Sequence, residues 1–258
     1  MHPTLNIAVT AARRAGDIIT RSLDRNGKIA VQQKNMNDFV TEIDQLAEKD
    51  IIATIRRAYP SHSILAEESG RHRGDDHQWI IDPLDGTTNF IHGFPHFAVS
   101  IAVQYRGQLE HAVIYDPIRQ ELFTASRGAG AKLNDYRIRV SQRKQLSECL
   151  MGTGFPYRSH EHLASYLRSF AMMMPQCTGI RRAGSAALDL AYVAAGRLDG
   201  FWEMGLQPWD IAAGALIIKE AGGIITDLHG GENYLKDGNI MAASAKIHKE
   251  MSGIIKLT

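Results

Sequence analysis

A short apolar run, Trp79-Ile80-Ile81, passes directly into Asp82-Pro83-Leu84-Asp85-Gly86-Thr87-Thr88-Asn89. The run reads as a buried strand, and two carboxylates emerge where it ends. Gly86 lets backbone approach a ligand closely, and Thr87 and Thr88 bring hydroxyls and N–H groups to what reads as a helix start. Oxygen and amide groups gathered at one strand end suit a hard divalent cation and a phosphate.

The rest of the chain supplies elements to hold that segment. Leu5, Ala8, Val9, Ala12, Ala15, Ile18 and Ile19 recur at helical spacing, which predicts a helix over roughly 4–23, ended by Asn26-Gly27. Ile29 and Val31 alternate as a strand, and Lys34 to Asp38 reads as a polar loop. A second helix carries Ile43, Leu46, Ala47, Ile51, Ile55 and Ala58 and stops at Tyr59-Pro60. Ile64-Leu65-Ala66 is a buried strand that delivers Glu67 and Glu68, and Ser69 to Gln78 reads as a mobile charged loop. His96–Gln104, Leu109–Tyr115, Glu121–Ala125 and Arg137–Val140 predict a largely antiparallel sheet. Gly128 and Gly130 lack the third glycine and following helix of a dinucleotide fingerprint.

From about residue 146 strands alternate with helices: a helix over His160–Met173, a strand at Thr178–Arg181, and a helix from Gly184-Ser185-Ala186 to Ala195. Leu198–Glu203 is strand-like, Pro208-Trp209-Asp210 precedes an alanine-rich helix, and Ile224–Thr226 and Ile240–Ala243 lead to a last helix from Lys246. No linker or repeat divides the chain. The reading is therefore one domain over 1–258, with an α+β half (1–145) and an α/β half (146–258) sharing a cleft.

Composition narrows the function. With 29 Lys and Arg against 28 Asp and Glu, the net charge of +1 gives no footprint for nucleic acid or membrane. No segment approaches the roughly 20 apolar residues of a membrane span, and the N-terminus lacks the apolar region of a signal peptide. Cys149 and Cys177 are read as two buried free thiols in a reducing cytoplasm. Phe170, Met172, Met173 and Met174 read as core.

Glu67, Asp82, Asp85 and Asp210 each sit at an element boundary after an apolar run, where rigid structure can fix a carboxylate that still faces a cleft. Magnesium takes oxygen ligands in octahedral geometry and keeps waters, so a few carboxylates with a backbone carbonyl suffice. With Pro83 stiffening the turn, the Leu84 carbonyl is a candidate. Asp44, in Thr41-Glu42-Ile43-Asp44, is either a helix cap or a support for the site. Lys34 is read as a solvated loop lysine, with phosphate neutralisation the alternative, and Glu68 as a neighbour of the site or solvated. Arg181-Arg182 and Arg137 with Arg139 are read as solvated faces before a docking patch.

Trp79 to Asn89, with Glu67-Glu68-Ser69 upstream and Pro208-Trp209-Asp210-Ile211-Ala212-Ala213-Gly214 downstream, resembles the inositol monophosphatase family. Gly184-Ser185-Ala186-Ala187 and Glu220-Ala221-Gly222-Gly223 are two further similar blocks, and the resemblance is closest to bacterial, cytoplasmic inositol-1-monophosphatases. It implies an α/β, α+β-layered fold, an α-β-α-β-α sandwich. It also implies lithium-sensitive, magnesium-dependent hydrolysis of myo-inositol monophosphate with two or three Mg2+ per site, in a homodimer. By resemblance, Glu67, Asp82 and the Leu84 carbonyl match ligands of one metal, and Asp82, Asp85 and Asp210 those of a second. Thr87 and Glu67 match the residues that orient the attacking water. Gly86 and Thr87 amides match the phosphate-binding end, and Asp85, Gly184, Ser185, Ala186 and Glu203 the positions around the inositol. Related phosphatases acting on fructose 1,6-bisphosphate, nucleotide 3′-phosphates or NADP share the metal motif. Some similar bacterial proteins associate with the transcription machinery, which makes a binding partner in RNA synthesis the reading from another class.

Overall fold

The computed structural model describes residues 2–23, 31–35, 38–157 and 160–256, without the side chains of 31–40 and 160. Strands β1 (Val31–Asn35) and β2 (Asp38–Thr41) pair as a ribbon. An eight-stranded sheet contains β3 (Ser63–Ala66), β4 (Gly70–His72), β5 (His77–Asp85), β6 (Ala98–Tyr105), β7 (Gln108–Asp116), β8 (Glu121–Ser126), β9 (Gly130–Leu133) and β10 (Tyr136–Arg137). Its order is β10-β9-β8-β7-β6-β5-β3-β4, with β3 and β5 parallel and every other pair antiparallel. A five-stranded sheet contains β11 (Leu150–Thr153), β12 (Gly179–Arg181), β13 (Gly200–Glu203), β14 (Ile224–Thr226) and β15 (Ile240–Ala243), in the order β12-β11-β13-β15-β14.

The helices are α1 (Pro3–Leu23), α2 (Glu42–Ala58), α3 (Thr87–Ile91), α4 (Leu163–Met173), α5 (Ala186–Ala194), α6 (Pro208–Glu220), α7 (Tyr234–Asp237) and α8 (Ala245–Ile254). Their apolar patterning assigns their layers. In α1 and α2 one face is buried, and both pack on the outer side of the large sheet around Ile19, Ile51, Ile55 and Trp79. Every residue of α6 from Asp210 to Ile218 is buried, and α5 is nearly as enclosed. A helix apolar all round must be covered on all sides, and these two lie between the sheets. Helices α4 and α8 cover the outer face of the small sheet through Tyr166, Met173, Ile247 and Met251. The result is the five-layer α-β-α-β-α sandwich. Among the described residues, no helix is long and apolar enough to cross a membrane.

Several local expectations change. Ser69 to Gln78 is not a continuous loop, because Gly70–His72 pairs with β3 and β5 begins at His77. Lys34, Asn35 and Asp38 belong to the β1–β2 ribbon; Asn26-Gly27, Met36, Asn37 and the Lys34 side chain lie outside the described part. The strand read at Arg137–Val140 is only Tyr136–Arg137, and the helix read from His160 becomes regular at Leu163 after a 3-10 turn. Leu46, one of the apolar positions of the second helix, is exposed by 52%, and Met172 and Met174, read as core, by 46% and 59%. Cys149 is buried, and that burial pushes its thiol up to about 12, but Cys177 is only half-buried.

Candidate active site

Parallel pairing of β3 with β5 sets Ala66 beside Ile81, and the Glu67 N–H donates to the Ile81 carbonyl at 3.1 Å. Glu67 and Asp82 therefore leave adjacent strands at the same level. The apolar run does not end the strand at Ile81; β5 continues to Asp85 with an irregular register. Asp82 faces Ser100 and Asp85 faces Ala98, so three steps on β5 match two on β6. Residues three apart on a regular strand point to opposite faces, and this one-residue bulge at Pro83 returns both aspartates to one face. Carboxylate oxygens of Asp82, Asp85 and Asp210 lie within 4.8 Å of one another.

Each group is held from behind. Asp82 Oδ1 accepts the Leu84 N–H at 2.9 Å. Asp85 Oδ2 accepts the Ser185 hydroxyl at 2.6 Å and the Ala187 N–H at 2.7 Å, and so ties β5 to the start of α5. Asp210 lies inside the first turn of α6 rather than before it, with Pro208 opening the helix. Its Oδ2 accepts the Gln207 N–H at 2.8 Å. The Asn89 amide bridges the carbonyls of His96 and Ala183 at 2.7 and 2.9 Å, which fixes the two halves across the cleft. Gly86 caps α3 with φ +96°, and a Cβ there would meet the His96 carbonyl at 3.0 Å and that of Gly184 at 3.3 Å. Only glycine fits that turn.

Both alternatives for Asp44 hold at once. Its Oδ2 accepts from the Thr41 backbone at 2.8 Å as half of a capping box, while its Oδ1 accepts the Thr87 hydroxyl at 3.0 Å. The Thr87 hydroxyl also lies 3.0 Å from the Leu84 carbonyl, so its single proton faces inward and its lone pairs are left toward the cleft. Glu48, one turn further along α2, is buried and accepts the N–H groups of Glu68 and Ser69 at 2.8 and 2.9 Å. One helix face thus steadies Thr87 and the segment carrying Glu67. Sequence reading missed Glu48, although a carboxylate four residues after Asp44 falls on the same helical face.

These groups line a cavity of about 430 Å³ that contains Glu67, Asp82, Leu84, Asp85, Gly86, Thr87, Gly184, Ser185, Ala186, Glu203 and Asp210 together. Ser185 is buried, and its hydroxyl is engaged both as donor to Asp85 and as the cap of α5, accepting the Leu188 N–H at 3.3 Å. Glu68 is half-buried beside Glu48. Arg182, read as a solvated face, is exposed as expected and also lines the cavity, with its guanidinium 5.5 and 5.2 Å from the Phe155 and Tyr157 ring centres. Arg181, Arg137 and Arg139 are exposed as expected. The glycine turn at 128–130 closes on Glu220, whose two oxygens accept the Gly128 and Gly130 N–H groups at 2.7 Å each.

Burial holds the Asp82 carboxyl well above its usual range, and the negative charges of Glu67, Asp85 and Asp210 push the same way. Three aspartate carboxylates within 4.8 Å of one another, with Glu67 lining the same cavity, offer oxygen donors that suit a hard cation rather than a nitrogen- or sulfur-seeking metal. The aspartate cluster can hold such an ion.

The Nus factor SuhB of Pseudomonas aeruginosa is 56% identical over 257 residues, covering 97% of this chain and 95% of that protein. The extragenic suppressor protein suhB from Bartonella henselae superposes with a TM-score of 0.96 at 46% identity, over 99% of both chains. An inositol monophosphatase from Anabaena (Nostoc) superposes with a TM-score of 0.87 at 40% identity, over 97% of this chain and 94% of that one. The signature of the inositol monophosphatase family matches residues 1–257, and the chain belongs to that family.

Proposed function

We propose that the protein is a magnesium-dependent phosphatase that releases inorganic phosphate from myo-inositol monophosphate. The observation that carries this reading is the convergence of Asp82, Asp85 and Asp210 at the end of a cavity that Glu67 and Thr87 also line. Glu67, Asp82 and the Leu84 carbonyl would hold one ion, and Asp82, Asp85 and Asp210 a second. Two such ions acidify water and neutralise charge on the entering and leaving oxygens of an in-line displacement. Thr87, with its proton committed to Asp44 and Leu84, accepts a hydrogen bond from the attacking water and orients it beside Glu67. Gly86 and Thr87 present N–H groups to the phosphate, and Gly184, Ala186 and Glu203 border the space for the alcohol. Ser185 serves by fixing Asp85 and α5 rather than by attacking phosphorus.

The deciding measurement is phosphate release from myo-inositol 1-phosphate with and without magnesium and lithium. Fructose 1,6-bisphosphate, a nucleotide 3′-phosphate and NADP serve as comparisons. Faster turnover of any comparison ester overturns the substrate, and magnesium-independent turnover overturns the chemistry. We further infer a cytoplasmic homodimer; exposed Leu163, Leu167, Met172 and Met174 along and just after α4 support a second copy as partner, tested by light scattering.

The name Nus factor, carried by the Pseudomonas aeruginosa relative, supports a second role as a partner of the transcription machinery. Capture of transcription proteins by the Asp82→Asn variant at physiological salt tests it. No capture removes that role.

A further inference from the structure

We propose that Asp189 acts with Glu203 as a hydroxyl-binding pair that selects polyol phosphates, which deepens the phosphatase reading and rests on it. Asp189 lies on α5 one turn beyond the capping Ser185, is only 2% exposed, and lines the same cavity as the aspartate cluster. Among the described residues no hydrogen bond or ion pair reaches its carboxylate, although every neighbour in α5 except the half-buried Tyr192 is buried and apolar. A buried acidic group without donors is costly, and in a cavity those donors come from the ligand.

Glu203, at the end of β13, borders the same space, and the chain is shaped to admit it. A Cβ on Gly154 would collide with the Glu203 carboxylate, whereas Gly152 answers to Leu198 and Phe201, at 2.8 and 3.0 Å from a Cβ there, and leaves ordinary contact, 3.7 Å, with Asp189 Cγ. The glycine at the exit of β11 thus opens room for Glu203. Burial and the neighbouring acidic charges, Asp85 on both and Asp210 on Glu203, hold the two carboxyls well above their usual range, and the charge of Arg182 offsets only part of this. A second phosphate beside these acidic groups would be repelled. A neutral ligand rich in donors satisfies them without added charge. Hydroxyl groups on neighbouring carbons of the alcohol fit, since each can donate one proton to a carboxylate oxygen.

The test compares two esters, myo-inositol 1-phosphate and phenyl phosphate, which has no hydroxyl on its alcohol part. In Asp189→Ala, kcat/KM for the inositol ester should fall at least about 10-fold, mainly through KM, with phenyl phosphate changed less than about 2-fold. Asp189→Asn keeps the shape and an accepting oxygen and should recover part of the loss. Equal loss on both esters, or no loss on the inositol ester, overturns the proposal. Wild-type turnover of phenyl phosphate alone overturns the polyol assignment and leaves the phosphatase standing. Should the wild type hydrolyse neither ester with magnesium, the phosphatase reading fails. Calorimetric titration with myo-inositol 1-phosphate then decides separately: weaker binding by Asp189→Ala supports the pair, and equal or absent binding overturns it.

Discussion

At the acidic end of the cavity the chain braces its own carboxylates: Leu84 N–H on Asp82, Ser185 and Ala187 on Asp85, Gln207 N–H on Asp210. By contrast, Asp189 and Glu203, which line the same cavity within reach of the charges of Asp85 and Asp210, receive no hydrogen bond from any described residue. The first end is organised before anything binds. The second is completed by what binds. Such a division lets one braced centre serve many esters while a few loosely committed groups choose among them, because preorganisation benefits the reacting atoms and open donors or acceptors set selectivity.

The largest expected effect breaks the braced end. Asp82→Asn or Asp85→Asn should lower magnesium-dependent turnover roughly 10³-fold on every ester, with a cooperative unfolding transition retained. A loss confined to inositol phosphates would show that these aspartates belong to substrate choice and would erase the division. Next is Glu48→Gln, which leaves one good acceptor for two N–H groups at Glu68 and Ser69. Groups that orient a metal ligand typically contribute 10–100-fold in metal affinity. The concentration of magnesium giving half-maximal rate should therefore rise about 10-fold, with kcat at saturating magnesium nearly restored. An unchanged magnesium requirement would show that Glu48 only caps the chain.

How far the sequence foretold this site depends on how local each signal is. The aspartate motifs were legible because a strand end, a proline bulge and a helix start are written in consecutive residues, 79–89 and 207–214. The layers were legible from helix patterning, with α6 apolar all round and α1 one-sided. Strand β11 was not, because Leu150-Met151-Gly152-Thr153 has little β-branched character and a glycine at its middle. That glycine answers to distant residues: a Cβ there would come within 2.8 Å of Leu198. Asp189 and Glu48 were silent for the same reason. Their partners lie across the fold, and a lone carboxylate in a helix has no local signature.

Acidity separates the braced end in another way. Burial, followed by the charges of Glu67, Asp85 and Asp210, raises the Asp82 carboxyl well above the usual 3.8. Between that value and its raised one, the folded protein binds more protons than the unfolded chain, so metal-free stability falls as pH rises through the window. Asp82→Asn removes this contribution and should flatten part of the slope. Magnesium, which binds the ionised cluster, should replace the protons and make the wild type more stable as pH rises. Thermal unfolding from pH 4.5 to 7.5, with chelator or magnesium, checks both signs. A metal-free wild type that gains stability over its Asp82→Asn variant on alkalinisation contradicts the account.

The smallest effect tests the open end. Gly154→Ala sets a methyl where the Glu203 carboxylate lies, so that carboxylate must swing away while the aspartate cluster stays untouched. The expected change is about 5-fold in KM for myo-inositol 1-phosphate, or roughly 1 kcal/mol. The magnesium requirement and the turnover of phenyl phosphate should not move. A shift in the magnesium requirement would mean that the two ends are mechanically joined through β13 and α6, and the division between a braced centre and an open selector would fail at its narrowest point.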